Sequence, residues 1–359
     1  MSFLNKNSLD QSVFAVFPGQ GSQHVGMAKD LYEQFSVARQ VFEEASDAIR
    51  IDLKKLCFED PNKELILTEN TQPCLLTASV AAYRVAEKEL DFKPGAVAGH
   101  SLGEYSALVA VGCLNLGTAA QWVRERGLAM QKAVPAGEGG MAAILGLDDS
   151  LIGRLCSQAT ELAQKARAAK TESTSTVEAI VEPANFNAPG QIVIAGSSDG
   201  IQQAIDLMRA GGEFAGAKAI PLQVSAPFHC RLMQPARDRM ADLFAKASSA
   251  QKPRLLKIPY VPNRTGRLSH ELELVLDLLI EQVDHPVLWK QSIEGLLQHP
   301  FRAAVEFGPG KVLNGLIKRI ASQKSHSCTL SSMSDSSSIK NLETLFKELE
   351  TSERGENRL

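Results

Sequence analysis

Residues 99–103 of this chain read GHSLG, a serine between two glycines at the point where an apolar stretch gives way to a helical one. Residues 95–99 (GAVAG) have the composition of a buried strand, and residues 104–112 (EYSALVAVG) that of a helix. Ser101 would then lie at a tight turn whose glycines leave the room that a side chain would occupy. The pattern is typical of a nucleophile elbow, in which the serine hydroxyl is exposed at the turn. An ordinary glycine-bounded turn with an unreactive serine is the alternative.

The order of strands and helices around this turn predicts an α/β fold, with a parallel sheet covered by helices. The first strand, VFAVF, leads into a second glycine-rich turn, PGQGSQ (18–23). Predicted strands cover residues 13–17, 95–99, 254–261 and 303–307. Predicted helices cover residues 28–50, 72–89, 104–112, 117–133, 229–249, 272–298 with a break at Pro286, and 311–320, and an amphipathic helix follows residue 335.

The pattern changes between residues 138 and 222, where it reads β-α-β-β-α-β, the order of a ferredoxin-like unit. We therefore predict a small ferredoxin-like domain at residues 138–222, bounded by a glycine-rich hinge that begins at Gly137. It would be inserted into a large α/β catalytic domain formed by residues 1–137 and 223–359. Inside the small domain, residues 160–177 are polar and are expected to extend a helix into a flexible loop.

Length and charge limit the classes of function. The chain has 359 residues, enough for about two structural units, and a net charge of −3. This charge does not favour a nucleic-acid partner, and the chain has no long run of Lys and Arg that would favour one locally. The chain contains no apolar stretch of about 18 residues and no basic segment leading into an apolar one near its start. We expect a cytoplasmic protein that does not bind a membrane.

The cysteine pattern indicates neither a metal nor disulfides. Six cysteines are scattered without a CxxC pair, so zinc ligation and a disulfide framework are not predicted. Cys230 adjoins His229, but adjacent side chains rarely converge on one substrate atom. Ser101 is therefore the better candidate nucleophile.

A serine hydroxyl needs a base at neutral pH, and histidine is the side chain whose pKa suits that task. Among the seven histidines, His100 neighbours Ser101, but strand geometry should turn its ring away from the substrate. His229 lies where the chain leaves residues 138–222, at the edge of an expected cleft. We favour His229 as the base and keep His100 as the alternative.

Nine segments together indicate one family. They are FPGQGSQ (17–23), TQP (71–73), GHSLGEYSAL (99–108), RERGLAMQ (124–131), GGMAAI (139–144), NFNAPGQIVIAG (185–196), APFHC (226–230), EQVDHPVLW (281–289) and EFGPGKVLNGLIKRI (306–320). In these segments the chain resembles the malonyl-CoA:acyl carrier protein transacylases, the acyltransferase family of fatty acid and polyketide synthesis. The resemblance covers nearly the whole chain and implies a large domain of the α/β-hydrolase-like kind.

The resemblance implies the roles of the catalytic residues. Ser101 becomes acylated, and His229 is its base. The main-chain carbonyl of Gln282 orients this histidine in place of a triad carboxylate. Backbone N–H groups of Gln20 and Leu102 form the oxyanion hole.

The resemblance also implies the acyl group. Arg126 would hold the free carboxylate of malonate in a bidentate pair, whereas from the residues alone it is an ordinary solvated arginine on a helix. Phe228 looks like the bulky residue that crowds an α-methyl group and so favours malonyl over methylmalonyl groups.

The implied reaction is ping-pong transfer of the malonyl group from malonyl-CoA to the phosphopantetheine thiol of acyl carrier protein, through a malonyl-serine ester. The expected partner is acyl carrier protein, the expected state is a monomer, and neither a metal nor an organic cofactor is needed. Two alternatives stay open: an acyltransferase that serves polyketide synthases in trans, and an acyl-thioester hydrolase on the same scaffold. Arg126 argues against the hydrolase, because such hydrolases act mainly on acyl groups without a free carboxylate.

Overall fold

The structure is a computed structural model that describes residues 12–169, 175–224 and 226–356. The predicted polar loop lies partly outside these residues. Among the described helices, none is both long enough and apolar enough to cross a membrane.

The main sheet has five strands, all parallel, which confirms the predicted parallel sheet. Its first strand, VFAVF, is buried at all five positions, as expected of a strand covered on both faces. The strands are β1 (Val13–Phe17), β2 (Ala96–Gly99), β7 (Tyr260–Val261), β8 (Ala303–Phe307) and β9 (Thr329–Met333), in the spatial order β7-β2-β1-β8-β9.

The second sheet has four antiparallel strands. They are β3 (Gly139–Leu145), β4 (Val181–Ala188), β5 (Gln191–Ser197) and β6 (Lys218–Pro221), in the spatial order β4-β5-β3-β6. A helix follows β3 and another follows β5, so the elements run in the predicted order β-α-β-β-α-β. The fold class is therefore mixed α/β, with one parallel and one antiparallel sheet.

The helices surround both sheets. They are α1 (Lys29–Gln34), α2 (Ser36–Ile49), α3 (Leu53–Phe58), α4 (Thr68–Leu90), α5 (Gly103–Ala110), α6 (Leu116–Ala133), α7 (Asp149–Ala168), α8 (Ser198–Ala210), α9 (Gln234–Ala245), α10 (Val275–Glu281), α11 (Trp289–Leu296), α12 (Val312–Gln323) and α13 (Ser338–Glu356). One large apolar cluster fills the space between the main sheet and α1–α6, and a separate cluster lies between the second sheet and its two helices.

Two predicted elements differ from the structure, and one strand was not predicted. The strand predicted over residues 254–261 is only β7, because Pro259 has no N–H to extend the ladder. The helix predicted over 28–50 is interrupted at Phe35, whose backbone is extended and separates α1 from α2. The edge strand β9 was not predicted, since TLSSM carries little apolar signal.

The segment that follows α10 joins the two sheets. Val287 accepts a hydrogen bond from the Phe186 N–H of β4 and donates one to the carbonyl of Ala184, both at 2.9 Å. Lys290 of α11 forms an ion pair with Asp149 at the start of α7. The second sheet also contacts the glycine-rich turn after β2, because Asn187 of β4 lies 2.8 Å from the ring of His100.

Candidate active site

Ser101 occupies the sharp turn between β2 and α5. Its φ angle is +52°, a left-handed conformation that a non-glycine residue adopts only under constraint. A Cβ on Gly99 would lie 1.9 Å from the carbonyl carbon of Gly103, and a Cβ on Gly103 would lie 2.0 Å from the carbonyl oxygen of Phe17. Neither glycine can therefore be replaced without moving backbone. This packing holds the serine hydroxyl at the end of the main sheet.

His229 connects Ser101 to Gln282. The Ser101 Oγ lies 2.8 Å from His229 Nε2, and His229 Nδ1 lies 2.8 Å from the main-chain oxygen of Gln282. A carbonyl oxygen only accepts hydrogen bonds, so Nδ1 carries the proton and Nε2 is free to accept the hydroxyl proton of Ser101. No carboxylate takes part in this pair of contacts. The histidine is buried, with 3% of its surface exposed.

Burial, with a smaller contribution from the positive charge of Arg126, lowers the pKa of His229 to about 3. The hydrogen bond to Gln282 opposes the shift. The imidazole is therefore neutral at physiological pH, the form that a general base requires.

Arg126 reaches the same hydroxyl from α6. Its guanidinium donates from Nη2 to Ser101 Oγ at 3.2 Å and to the side-chain oxygen of Gln282 at 2.8 Å. Nη1 donates to the side-chain oxygen of Gln72 at 2.9 Å. The residue is only 1% exposed, so it is not the solvated arginine that its helix position alone suggests. All three partners are neutral acceptors, so this buried cation can still take an anionic partner.

A cavity of about 810 Å³ opens over these groups. Ser101, His229, Arg126, Gln20 and Phe228 all line it. Its exposed lining is mostly apolar and includes Leu67 just before α4, Met130 of α6, Met141 of β3, and Leu222 and Val224 just after β6. The cavity thus combines a nucleophile and a cation with walls suited to an uncharged chain.

The two glycine-rich turns touch beside Ser101. A Cβ on Gly19 would lie 2.5 Å from the carbonyl oxygen of His100, which places Gln20 next to the elbow. Within residues 12–169, 175–224 and 226–356, no acceptor bonds to the backbone N–H of Gln20 or of Leu102. Two backbone donors are therefore left for a ligand oxygen near the serine.

Two other candidates have different surroundings. His100 Nε2 lies 2.8 Å from Asn187 Oδ1, and its ring packs against Trp289, so it is held by β4 rather than by Ser101. The Cys230 thiol donates to the carbonyl of Pro227, and burial raises its pKa strongly. Among the described residues, no group of three His, Cys, Asp or Glu side chains is arranged to hold a metal.

Sequence reasoning missed two residues that support the elbow. Asn263 accepts from the Ser101 N–H and donates to the carbonyl of Gly99, both at 2.6 Å. Glu104 is fully buried in the first turn of α5, where its carboxylate accepts from the Asn263 N–H and from the side-chain amide of Gln282. A glutamate in a first helical turn usually faces solvent, and residue 263 is distant in sequence, so no local pattern identified either one.

Comparison with known proteins gives a consistent result. The sequence profile described as "acyl transferase domain" matches residues 13–353. The chain is 42% identical over 305 residues to the malonyl CoA-acyl carrier protein transacylase of Escherichia coli strain K12, which covers 85% of this chain and 91% of that protein. The crystal structure of the transacylase of that name from Clostridium perfringens superposes with a TM-score of 0.84 at 33% identity, covering 96% of this chain and 99% of that one.

A second solved structure is a malonyl-transacylase in complex with the acyl-carrier protein of a type II polyketide synthase. It is similar to this chain with a TM-score of 0.80 at 39% identity, covering 91% of this chain and 97% of that one.

Proposed function

The chain belongs to the acyl transferase domain family, and from this membership and the geometry around Ser101 we infer that it is an acyl-carrier-protein S-malonyltransferase. It transfers the malonyl group of malonyl-CoA to the phosphopantetheine thiol of acyl carrier protein. The proteins named above carry the same activity in their names.

One observation carries this proposal. The Ser101 Oγ lies 2.8 Å from the base His229 and 3.2 Å from the buried cation Arg126. An acyl group that reaches this serine therefore lies beside a guanidinium, and an acyl group with a free carboxylate provides the missing anion. An acetyl or longer unbranched acyl group would bring no anion to this guanidinium, which is only 1% exposed.

In the first half-reaction the malonate carboxylate binds Arg126, which places the thioester carbon at the serine. His229 accepts the hydroxyl proton as Ser101 Oγ bonds to that carbon, and the carbonyl oxygen becomes an oxyanion held by the N–H groups of Gln20 and Leu102. One such donor typically increases the rate ~10²- to 10³-fold. The carbon–sulfur bond then breaks, and coenzyme A leaves with the proton from His229, so that a malonyl-serine ester remains.

In the second half-reaction the phosphopantetheine thiol gives its proton to His229 and attacks the ester. The same two N–H groups hold the second oxyanion. The ester bond breaks, the serine recovers its proton, and malonyl carrier protein leaves. The kinetics are ping-pong because coenzyme A leaves before the carrier-protein thiol attacks the acylated serine at the same site.

The architecture is assigned more finely in the same proposal. Residues 1–137 and 223–359 form the large α/β-hydrolase-like catalytic domain, and residues 138–222 form an inserted ferredoxin-like domain. The spatial order β4-β5-β3-β6 supports the second assignment. The cavity lies where the two meet, and Phe228 at its wall restricts branching next to the thioester carbon.

The remaining assignments follow from the mechanism and composition. Neither half-reaction needs a metal or an organic cofactor, because the serine is the nucleophile, the histidine transfers the protons and the backbone N–H groups stabilise the oxyanion. We expect the enzyme to work as a cytoplasmic monomer, with no part for nucleic acid or a membrane.

The test is incubation with isotope-labelled malonyl-CoA, with and without phosphopantetheinylated acyl carrier protein, followed by intact-mass measurement of both proteins. We expect one malonyl group on the enzyme, its transfer on addition of carrier protein, and no adduct on Ser101→Ala. Free malonate released without carrier protein would instead indicate the hydrolase. A stoichiometric malonyl adduct on Ser101→Ala would refute the assignment of the nucleophile.

The biosynthetic pathway requires a separate measurement. Parallel assays with a fatty acid carrier protein and with a polyketide carrier protein would separate the two settings by their kcat/KM values. A preference for the polyketide carrier would favour the acyltransferase that acts in trans.

A further inference from the structure

The side-chain amide of Gln282 is a junction in the site. Its nitrogen donates to the main-chain oxygen of Ser101 at 2.9 Å and to Glu104 Oε2 at 2.7 Å. Its oxygen accepts from Arg126 Nη2 at 2.8 Å. The main-chain oxygen of the same residue orients His229. Gln282 therefore touches the base with its backbone and the cation with its side chain.

The partners of this amide determine which way it points. The Ser101 carbonyl and the Glu104 carboxylate are both acceptors, so the NH₂ group must face them. The oxygen is then left facing Arg126, which only donates. If the amide were turned over, its NH₂ group would face the guanidinium and its oxygen would face two other oxygens.

Glu104 has no role in the two half-reactions, yet it is costly to bury. Its side chain is completely enclosed, and burial raises its pKa to about 7. Its second oxygen, Oε1, has no hydrogen-bond partner within the described residues. The Arg126 side chain lies close enough to act on its charge, although the two residues share no direct hydrogen bond. Contact between them passes through the Gln282 amide.

We propose that Glu104 is a positioning residue for the carboxylate-binding arginine. It holds the Gln282 amide in the one orientation that presents an oxygen to Arg126, and so fixes the guanidinium where the malonate carboxylate binds. The bond from His229 to the main-chain oxygen of Gln282 does not require this carboxyl. The inference rests on the proposed function, because it concerns how that enzyme selects an acyl group with a carboxylate.

The geometry predicts that malonyl binding at Arg126 and the reactivity of Ser101 respond differently to a change at Glu104, whereas a general loss of structure would impair both. Removing the Glu104 acceptor should disturb Arg126 through the Gln282 amide. It also frees the Asn263 N–H, but the Asn263 side chain still bonds to the Ser101 N–H and the Gly99 carbonyl, so the contact between Ser101 and His229 should stay in place. Reaction with malonyl-CoA should suffer, while reaction of the serine with a small electrophile that carries no carboxylate should not. Glutamine at position 104 still offers an oxygen to the Gln282 amide, so it should restore the arrangement.

The experiment compares Glu104→Leu, Gln282→Leu and Glu104→Gln with the wild type. Each is measured for acylation by malonyl-CoA in single turnover and for labelling of Ser101 by phenylmethylsulfonyl fluoride. We expect both leucine variants to lose about 10- to 100-fold in malonyl kcat/KM, mainly through KM, as for a lost hydrogen bond to a charged group. Labelling of Glu104→Leu by the sulfonyl fluoride should stay within about threefold of the wild type, and Glu104→Gln should stay near the wild type in both reactions.

Glu306→Leu is the matched control. Glu306 is a second completely buried glutamate, whose carboxylate accepts from the N–H groups of Leu313 and Asn314 at the start of α12, outside the cavity. Its loss should lower thermal stability without changing the ratio of the two reactions. The active fraction of every variant is counted by complete labelling with the sulfonyl fluoride.

Equal losses in both reactions would overturn the proposal, since Glu104 would then only stabilise the fold. An unchanged malonyl KM in Gln282→Leu, or a Glu104→Gln variant as poor as Glu104→Leu, would overturn it as well. Gln282→Leu decides the matter if Glu104→Leu does not fold. If the wild type forms no malonyl ester at all, the proposed function itself fails, and that result is visible before any variant is compared.

Discussion

Removal of the Arg126 guanidinium is expected to abolish malonyl transfer and to spare acyl groups without a carboxylate. In Arg126→Ala the contact between Ser101 and His229 and the oxyanion donors remain, and the cation is lost together with its hydrogen bond to Ser101 Oγ. Truncating one partner of a buried charged pair costs about 2 to 5 kcal/mol. At 1.4 kcal/mol per factor of ten, malonyl kcat/KM should fall ~30- to several thousand-fold.

The same change also lowers stability, and that part must be measured separately. The side-chain oxygens of Gln72 and Gln282 each lose a donor from Arg126, and an unsatisfied buried acceptor costs about 1 to 3 kcal/mol. Arg126→Met fills more of the space than alanine and isolates the loss of charge. Arg126→Lys should rescue poorly, since an ammonium cannot form two parallel hydrogen bonds to a carboxylate.

The assay is acylation by malonyl-CoA and by acetyl-CoA, each as kcat/KM, together with thermal unfolding. Arg124→Ala is the control, because Arg124 lies on the same helix but donates to the carbonyl of Glu69 and to Asn70. It should keep the wild-type ratio of malonyl to acetyl transfer. Equal losses of both reactions in Arg126→Ala would refute the reasoning, and Arg126 would then hold the fold rather than the substrate.

Three further results are expected. His229→Ala should slow acylation by ~10²- to 10⁴-fold. In the wild type, kcat/KM should show no titration near pH 6.5, because the His229 pKa is about 3. A clear titration near pH 6.5 would contradict the assignment of His229 as the base. Glu104→Gln should gain about 3 kcal/mol of stability relative to the wild type as pH rises from 5 to 8, measured by urea unfolding. The reason is that the folded pKa of Glu104 is raised to about 7, so the wild type loses stability as this buried carboxyl ionises. A stability difference that stays constant with pH would contradict this. Charge reversal of the exposed Lys318 and Arg319 on α12 should raise KM for acyl carrier protein and leave KM for malonyl-CoA unchanged, and equal effects would exclude that surface.

The parts of the fold that could be predicted are those whose cause is local. The stretches VFAVF of β1, apolar at all five positions, and AAVEF of β8, apolar at four of five, predict buried parallel strands, because a strand covered on both faces buries consecutive side chains. The elbow could be predicted because GHSLG is a local motif, although only Gly99 packs against backbone a few residues away, and Gly103 packs against Phe17 of β1. The edge strand β9 could not, since its pairing depends on a neighbour and not on its own pattern, and for the same reason β7 was predicted several residues too long.

The site divides along the same line. Ser101 and His229 lie in motifs that can be read from neighbouring residues. The support from Asn263 and Glu104 requires contacts across 159 to 162 positions of the chain, which only the order of strands in the main sheet creates. Gln282 illustrates both cases, because the family pattern implies its main-chain carbonyl, whereas the bonds of its side-chain amide are evident only in three dimensions.

In the proposed mechanism we expect Arg126 to link substrate choice to the strength of the base. Its charge contributes to the low pKa of His229, which makes the imidazole a weak base in the empty site. A malonate carboxylate at the guanidinium offsets that charge, so binding of this acyl group raises the His229 pKa toward its ordinary value and favours removal of the serine proton. An acetyl thioester leaves the charge in place and meets the weaker base. Arg126→Ala removes the charge altogether, and this is the physical reason why acetyl transfer should be kept or increased in that variant while malonyl transfer is lost.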